Sequence, residues 1–247
     1  MQAKKTKKRQ SFVEPLTKAQ AWSTITTKYH YNFNGAETYT MNYKNEEGYT
    51  GLLEEVISMI EENGGIIRRE QMKSRGIDYR HILDFVEEGK LVRIKNGYYT
   101  DRMDRFTEEA LVAKLFPDAR LCMESALFAY GYLDEKPYGW RLAVDKNTSK
   151  SRFKMDYPKV IPYYTEPEAL EIGSTRIQIG DNEFQIYDKE RVICDCLKYE
   201  AKMEREHFQA AIQSYIKDED KDIFTLMEYA RERKGVKKVQ SLIGVWL

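Results

Sequence analysis

Gly64–Thr100, GGIIRREQMKSRGIDYRHILDFVEEGKLVRIKNGYYT, decides the fold. Its last part is the most closely specified. Leu91–Lys95 runs into Asn96-Gly97 and then Tyr98–Thr100. Asn-Gly is the favoured two-residue type I′ loop, because both central residues need positive φ. That loop predicts Lys95 opposite Tyr98, Ile94 opposite Tyr99 and Arg93 opposite Thr100. Directly opposed residues share a face. Val92, Ile94 and Tyr99 are therefore expected inward, and Arg93, Lys95, Tyr98 and Thr100 outward.

Working back, a helix begins after Gly76. Asp78 is its expected N-cap, with the carboxylate reaching the amide of His81. At about 100° per residue, Ile82, Phe85 and Val86 form the buried stripe. Tyr79 and Leu83 flank it, and Arg80, Asp84 and Glu87 point away. A shorter segment, about Arg68 to Arg75, carries Arg68, Arg69, Lys73 and Arg75. Arg68 stands where a capping hydroxyl is expected. Before Gly64-Gly65, the residues Leu53, Val56, Ile57 and Ile60 recur at helical spacing.

Helices followed by a two-stranded ribbon have the layout of a winged helix-turn-helix. In that arrangement the N-terminal residues of the second helix reach base edges. Arg80 is the candidate for a bidentate guanine contact, with Tyr79 and His81 beside it. Asp84 either orients Arg80 or accepts from a cytosine amine; for His81 and Asp84 the alternative is a solvent-facing residue with no role. Arg68, Arg69 and Lys73 suit phosphate contact, as do Arg93, Lys95 and Tyr98 of the ribbon. A solvated hairpin with ordinary surface lysines is the other reading of that ribbon.

The module resembles the N-terminal domain of the AbiEi family, antitoxins and autorepressors of type IV toxin–antitoxin (abortive infection, phage defence) systems. The residues that carry the likeness are Gly64-Gly65-Ile66-Ile67, Gly76-Ile77, Gly89–Ile94 and Gly97-Tyr98-Tyr99. Further on, Ser125-Ala126-Leu127 with Gly131 is similar to the family's S-A-L-x-x-x-G helix. Ile186–Arg191 followed by Asp195 is similar to its strand-to-helix E-R-x-x-x-D element. The likeness runs from about Leu52 to the C-terminus. Tyr130 departs from it, since the family often has His there. The N-terminal extension has no counterpart in the family. The resemblance implies a cytoplasmic repressor binding inverted repeats of double-stranded DNA in its own operator. It also implies a neighbouring nucleotidyltransferase toxin, countered without a stable complex.

The expected fold class is α+β. A basic tail and extension (1–48), with a short helix over Thr17–Thr26, precede a winged helix-turn-helix (49–104). A mixed α/β C-terminal antitoxin domain (105–247) follows, with a small antiparallel-rich sheet and C-terminal helices. Forty basic and forty acidic side chains cancel over 247 residues. This excludes a uniformly basic nucleic-acid coat but not a local patch, because screening ends charge effects beyond about 8–10 Å. No apolar run has membrane-spanning length. Cys122, Cys194 and Cys196 form no pairing framework, which fits free buried thiols. No metal or cofactor is expected.

Lys146, Lys150, Arg152 and Lys154 cluster near Phe153 and Tyr157. This is either a second nucleic-acid or partner surface or a solvated loop. Arg191 and Asp195, one helical turn apart, and Ser125 are expected to be structural, and no catalytic residue is assigned. The alternatives to an antitoxin are a stand-alone winged-helix regulator and a winged helix fused to a metal-dependent nuclease. For the nuclease, Asp145 and Glu183 supply acids, but Gln185 stands where a lysine is needed.

Overall fold

A computed structural model describes residues 46–244. The basic tail and the expected Thr17–Thr26 helix lie outside the described residues. Helix α1 (Glu46–Glu62) buries Val56, Met59 and Ile60. Gly64 and Gly65 follow with φ of 69° and 91°. At Gly65 a Cβ would come within 2.7 Å of the Phe106 ring, so the turn has room only for glycine.

Next come β1 (Ile67–Arg68), α2 (Arg69–Ser74), α3 (Tyr79–Glu87), β2 (Val92–Lys95) and β3 (Tyr98–Thr100). The strands form an antiparallel sheet in the order β1-β3-β2. Ile67, Met72, Ile82, Phe85, Leu91 and Tyr99 close over α1 as one apolar cluster. One local expectation changes. Asp78 does cap α3, but its carboxylate accepts from the Arg80 amide at 2.9 Å, while the His81 amide reaches the Asp78 carbonyl. At the start of α2, Arg68 gives no side-chain cap, and Gln71 Oε1 accepts from the Arg68 amide at 2.8 Å.

The ribbon register differs from the one that Asn-Gly predicts. Lys95 does face Tyr98, but Arg93 pairs with Tyr99 and Val92 with Thr100. The ladder is irregular between Arg93 and Lys95, with one extra residue on β2. Successive residues Ile94 and Lys95 are consequently both buried, where strict alternation would have sent one outward. Thr100 is also buried, its hydroxyl donating to the Arg102 carbonyl.

The rest of the chain begins with α4 (Glu108–Leu115), β4 (Arg120–Leu121), α5 (Met123–Ala129) and β5 (Trp140–Asp145). A 3-10 turn (Lys150–Phe153) leads to β6 (Val160–Thr165), α6 (Pro167–Leu170), β7 (Ser174–Ile179) and β8 (Asn182–Tyr187). The described chain ends with α7 (Lys189–Tyr199), α8 (Arg205–Lys217), α9 (Ile223–Glu232) and α10 (Val236–Leu242). The sheet order is β6-β5-β4-β8-β7. β4–β5 and β7–β8 are antiparallel, whereas β4–β8 and β5–β6 are parallel, so this sheet is mixed rather than antiparallel-rich. Helix α7 is buried from Glu190 to Leu197 and packs on α5, α8, α9 and α10. Ile66 and Ile94, from the helix-and-ribbon module, belong to this second apolar cluster.

Candidate nucleic-acid interface

Helix α3 owes its orientation to Ile82 and Phe85, which are 1% and 0% exposed. With that stripe inward, Arg80 projects into solvent, its side chain 85% exposed. Its guanidinium is already held. Nη2 donates to Asp78 Oδ2 at 2.9 Å and Nε to Asp78 Oδ1 at 3.3 Å. The hydrogen bond from Arg80 is the main cause that brings the Asp78 carboxyl down to about 2. Asp84 does not orient Arg80 as expected. It lies 4.0 Å from His81 Nδ1.

Arg68, Arg69, Lys73 and Arg75 on and beside α2 are all exposed. Arg69 stacks on the half-buried Tyr79 ring at 4.3 Å, joining α2 to the start of α3. A cavity of about 330 Å³ lies between the two helices, lined by Arg69, Lys73, Asp78 and Tyr79 among others. At the ribbon tip Arg93 is exposed and donates to Asn96 Oδ1 at 2.8 Å.

Lys95 is the clearest correction. It is 5% exposed, its Nζ 3.3 Å from the Arg152 carbonyl and over the rings of Tyr98 (4.4 Å) and Phe116 (4.2 Å). Burial, and next the charge of Arg152, lower its pKa to about 8. The bulge in β2 turns this side chain onto the second half of the chain, against Phe116 and the Arg152 carbonyl, and away from the outward position expected of it. Tyr98 is half-buried in the same contact.

The second basic stretch divides. Lys150 and Lys154 are exposed and, among the described residues, have no ion pair. Arg152 forks onto Asp118, with Nη1 to Oδ2 at 2.7 Å, and Lys146 pairs with Glu166. Phe153 is buried and stacked on Phe116 at 5.5 Å. This anchors the 3-10 turn beside Lys95.

The remaining motif residues are framework. Ser125 Oγ accepts from the Arg141 amide at 2.8 Å, tying α5 to β5. Arg191 is fully buried, with Nε on Asp195 Oδ2 at 3.1 Å and Nη1 on the carbonyls of Ala169 and Ile172. Asp195 also takes the guanidinium of Arg233, a partner that sequence spacing gave no means of naming. Tyr130 donates to the Tyr187 carbonyl at 2.9 Å. The thiols of Cys122, Cys194 and Cys196 are free and buried. Of the acids weighed for metal chemistry, Glu183 pairs with Arg176 at 2.9 Å and Asp145 accepts from the Asn147 amide. No helix among the described residues is long and apolar enough to cross a membrane.

No curated protein gives a significant match to the chain. Residues 54–100 match a family model described as "Transcriptional regulator, AbiEi antitoxin". Over this segment, which holds α2, α3 and the β2–β3 ribbon, the likeness first carried by Gly64–Tyr99 is to the AbiEi antitoxin transcriptional regulators.

Proposed function

We propose that the protein is a winged helix-turn-helix autorepressor and the antitoxin of a type IV toxin–antitoxin system. It binds inverted repeats in its own promoter in the cytoplasm, acts by binding rather than catalysis, and needs no cofactor. One observation carries the DNA-binding part: Arg80 stands exposed in the first turn of α3, beside Arg69 stacked on Tyr79. First-turn residues are those that reach base edges in this arrangement. Arg80 reads a guanine once Asp78 yields or turns with it. Arg68, Arg69, Lys73 and Arg93 hold phosphates. Lys150 and Lys154, close to the ribbon through the Lys95–Arg152 contact, extend the cationic surface. The second half of the chain carries the antitoxic role against a nucleotidyltransferase toxin encoded next to it, without a lasting complex.

A gel shift on the protein's own upstream DNA tests this. Arg80→Ala is expected to relax preference at one base position by about 1–3 kcal/mol. Arg93→Ala weakens all sequences alike and lowers the salt slope by about 0.9 for each phosphate it leaves unneutralised. If both variants bind operator and random DNA as the parent does, α3 is not the reader. Growth arrest by the neighbouring gene product, unrelieved by co-expression of this chain, would remove the antitoxin role alone.

A further inference from the structure

A second cationic site lies in the C-terminal helices, away from the residues assigned to DNA. Lys198, Arg233, Lys234, Lys237 and Lys238 line a cavity of about 250 Å³. The carboxylates bonded to this cluster are Asp195 and Glu200. Asp195 is shared between Arg191 and Arg233, and Glu200 takes Lys238 at 3.3 Å. Lys198, Lys234 and Lys237 have no ion pair among the described residues. Arg233 lines the cavity with a side chain 7% exposed, its Nη2 held by Asp195 and its Nε buried without a hydrogen-bond partner.

The local potential is felt by neighbours. Burial, followed by the charge of Arg233, lowers the Lys198 pKa. Leu197, Ala230 and Val239 complete the wall with apolar surface, which strengthens any charge interaction made there. The volume is below the roughly 300–1,000 Å³ of sites for drug-sized ligands, and it suits a compact anion. Flexible ammonium groups around one guanidinium are the usual means of holding phosphate oxygens.

We propose that this cavity binds the phosphate or diphosphate group of a small phosphorylated ligand, with Arg233, Lys234 and Lys237 as its principal contacts. The proposal stands apart from the DNA reading of α3, and either can fail alone.

The test is isothermal titration of the full chain with inorganic phosphate and pyrophosphate at low salt, against sulfate and chloride at matched ionic strength. Lys234 has a φ of +59°, so Lys234→Gly removes the cation while relieving a left-handed backbone, and its fold is expected to survive. Saturable phosphate or pyrophosphate binding, weakened about tenfold or more by Lys234→Gly and by Lys237→Ala, bears the proposal out. Lys217→Ala, an exposed cation outside the cavity lining, leaves it unchanged. Heats that follow ionic strength alike for all four anions, or that persist in both variants, overturn it. So does a drop in operator affinity in these variants with no phosphate binding by the parent, since the cluster is then a nucleic-acid surface.

Discussion

Lys95 shows how one extra residue in a strand reassigns a charge. By composition it is a wing lysine for phosphate; by geometry it is a rivet between the ribbon and Arg152. Its pKa falls from 10.5 to about 8, so the folded state disfavours the proton that the unfolded chain keeps. Below about 8 both states are protonated and the penalty is fully present. Between there and 10.5 the unfolded chain binds more protons, so stability rises with pH. The displacement sets a ceiling of roughly 3 kcal/mol. Urea unfolding at pH 7.5 and 9.5 is expected to show a gain for the parent that Lys95→Met lacks. A parallel change in the two proteins would mean that the ammonium is hydrated. Asp195 is a residue of the opposite kind. Removing it strands Arg191 and Arg233 in the interior, so Asp195→Ala is expected to cost about 3–5 kcal/mol in the same measurement.

Helix α3 and the β2–β3 ribbon are held by different means, and they are unequally legible in the sequence. For α3 the signals are local: a capping Asp, then Ile82 and Phe85 three apart on one stripe. Asp78→Ala removes both cap and ion pair and is expected to lower the melting temperature, whereas Asp78→Asn keeps an acceptor for the Arg80 amide and loses much less. Thermal melts of the two variants separate cap from charge; equal losses would assign the effect to the ion pair. For the ribbon, the residues are legible but the register is not. Asn96-Gly97 fixes the turn, yet nothing in Val92–Lys95 announces a bulge, because its cause is distant: Phe116 and the Arg152 carbonyl draw Lys95 inward. The two-residue strand β4 escapes for a related reason, being too short to alternate. Its place is set by Leu142 and Ile186 on either side. Of the predicted interface, Arg68, Arg69, Lys73, Arg80, His81 and Arg93 are exposed as expected, and Arg152 and Lys146 are tied to acids that lie far off in sequence.

The described residues from Glu47 onward group as one compact unit, in which Ile66 and Ile94 of the helix-and-ribbon module enter the apolar cluster of the second half. Unfolding is therefore expected as a single calorimetric transition, with van't Hoff and calorimetric enthalpies equal. Two separated endotherms would show that the two halves melt independently. Ile94→Ala, which empties the junction, is expected to destabilise by about 2–5 kcal/mol and broaden that transition. On the proposed DNA-binding reading, a ribbon seated in this way meets a duplex already set. Where recognition arms must order themselves on contact, association carries a large negative heat-capacity change from coupled folding. Here the entropy of fixing β2 and β3 is spent during synthesis of the native state, so calorimetry of DNA association is expected to show only the modest heat-capacity change of the surface the two partners cover.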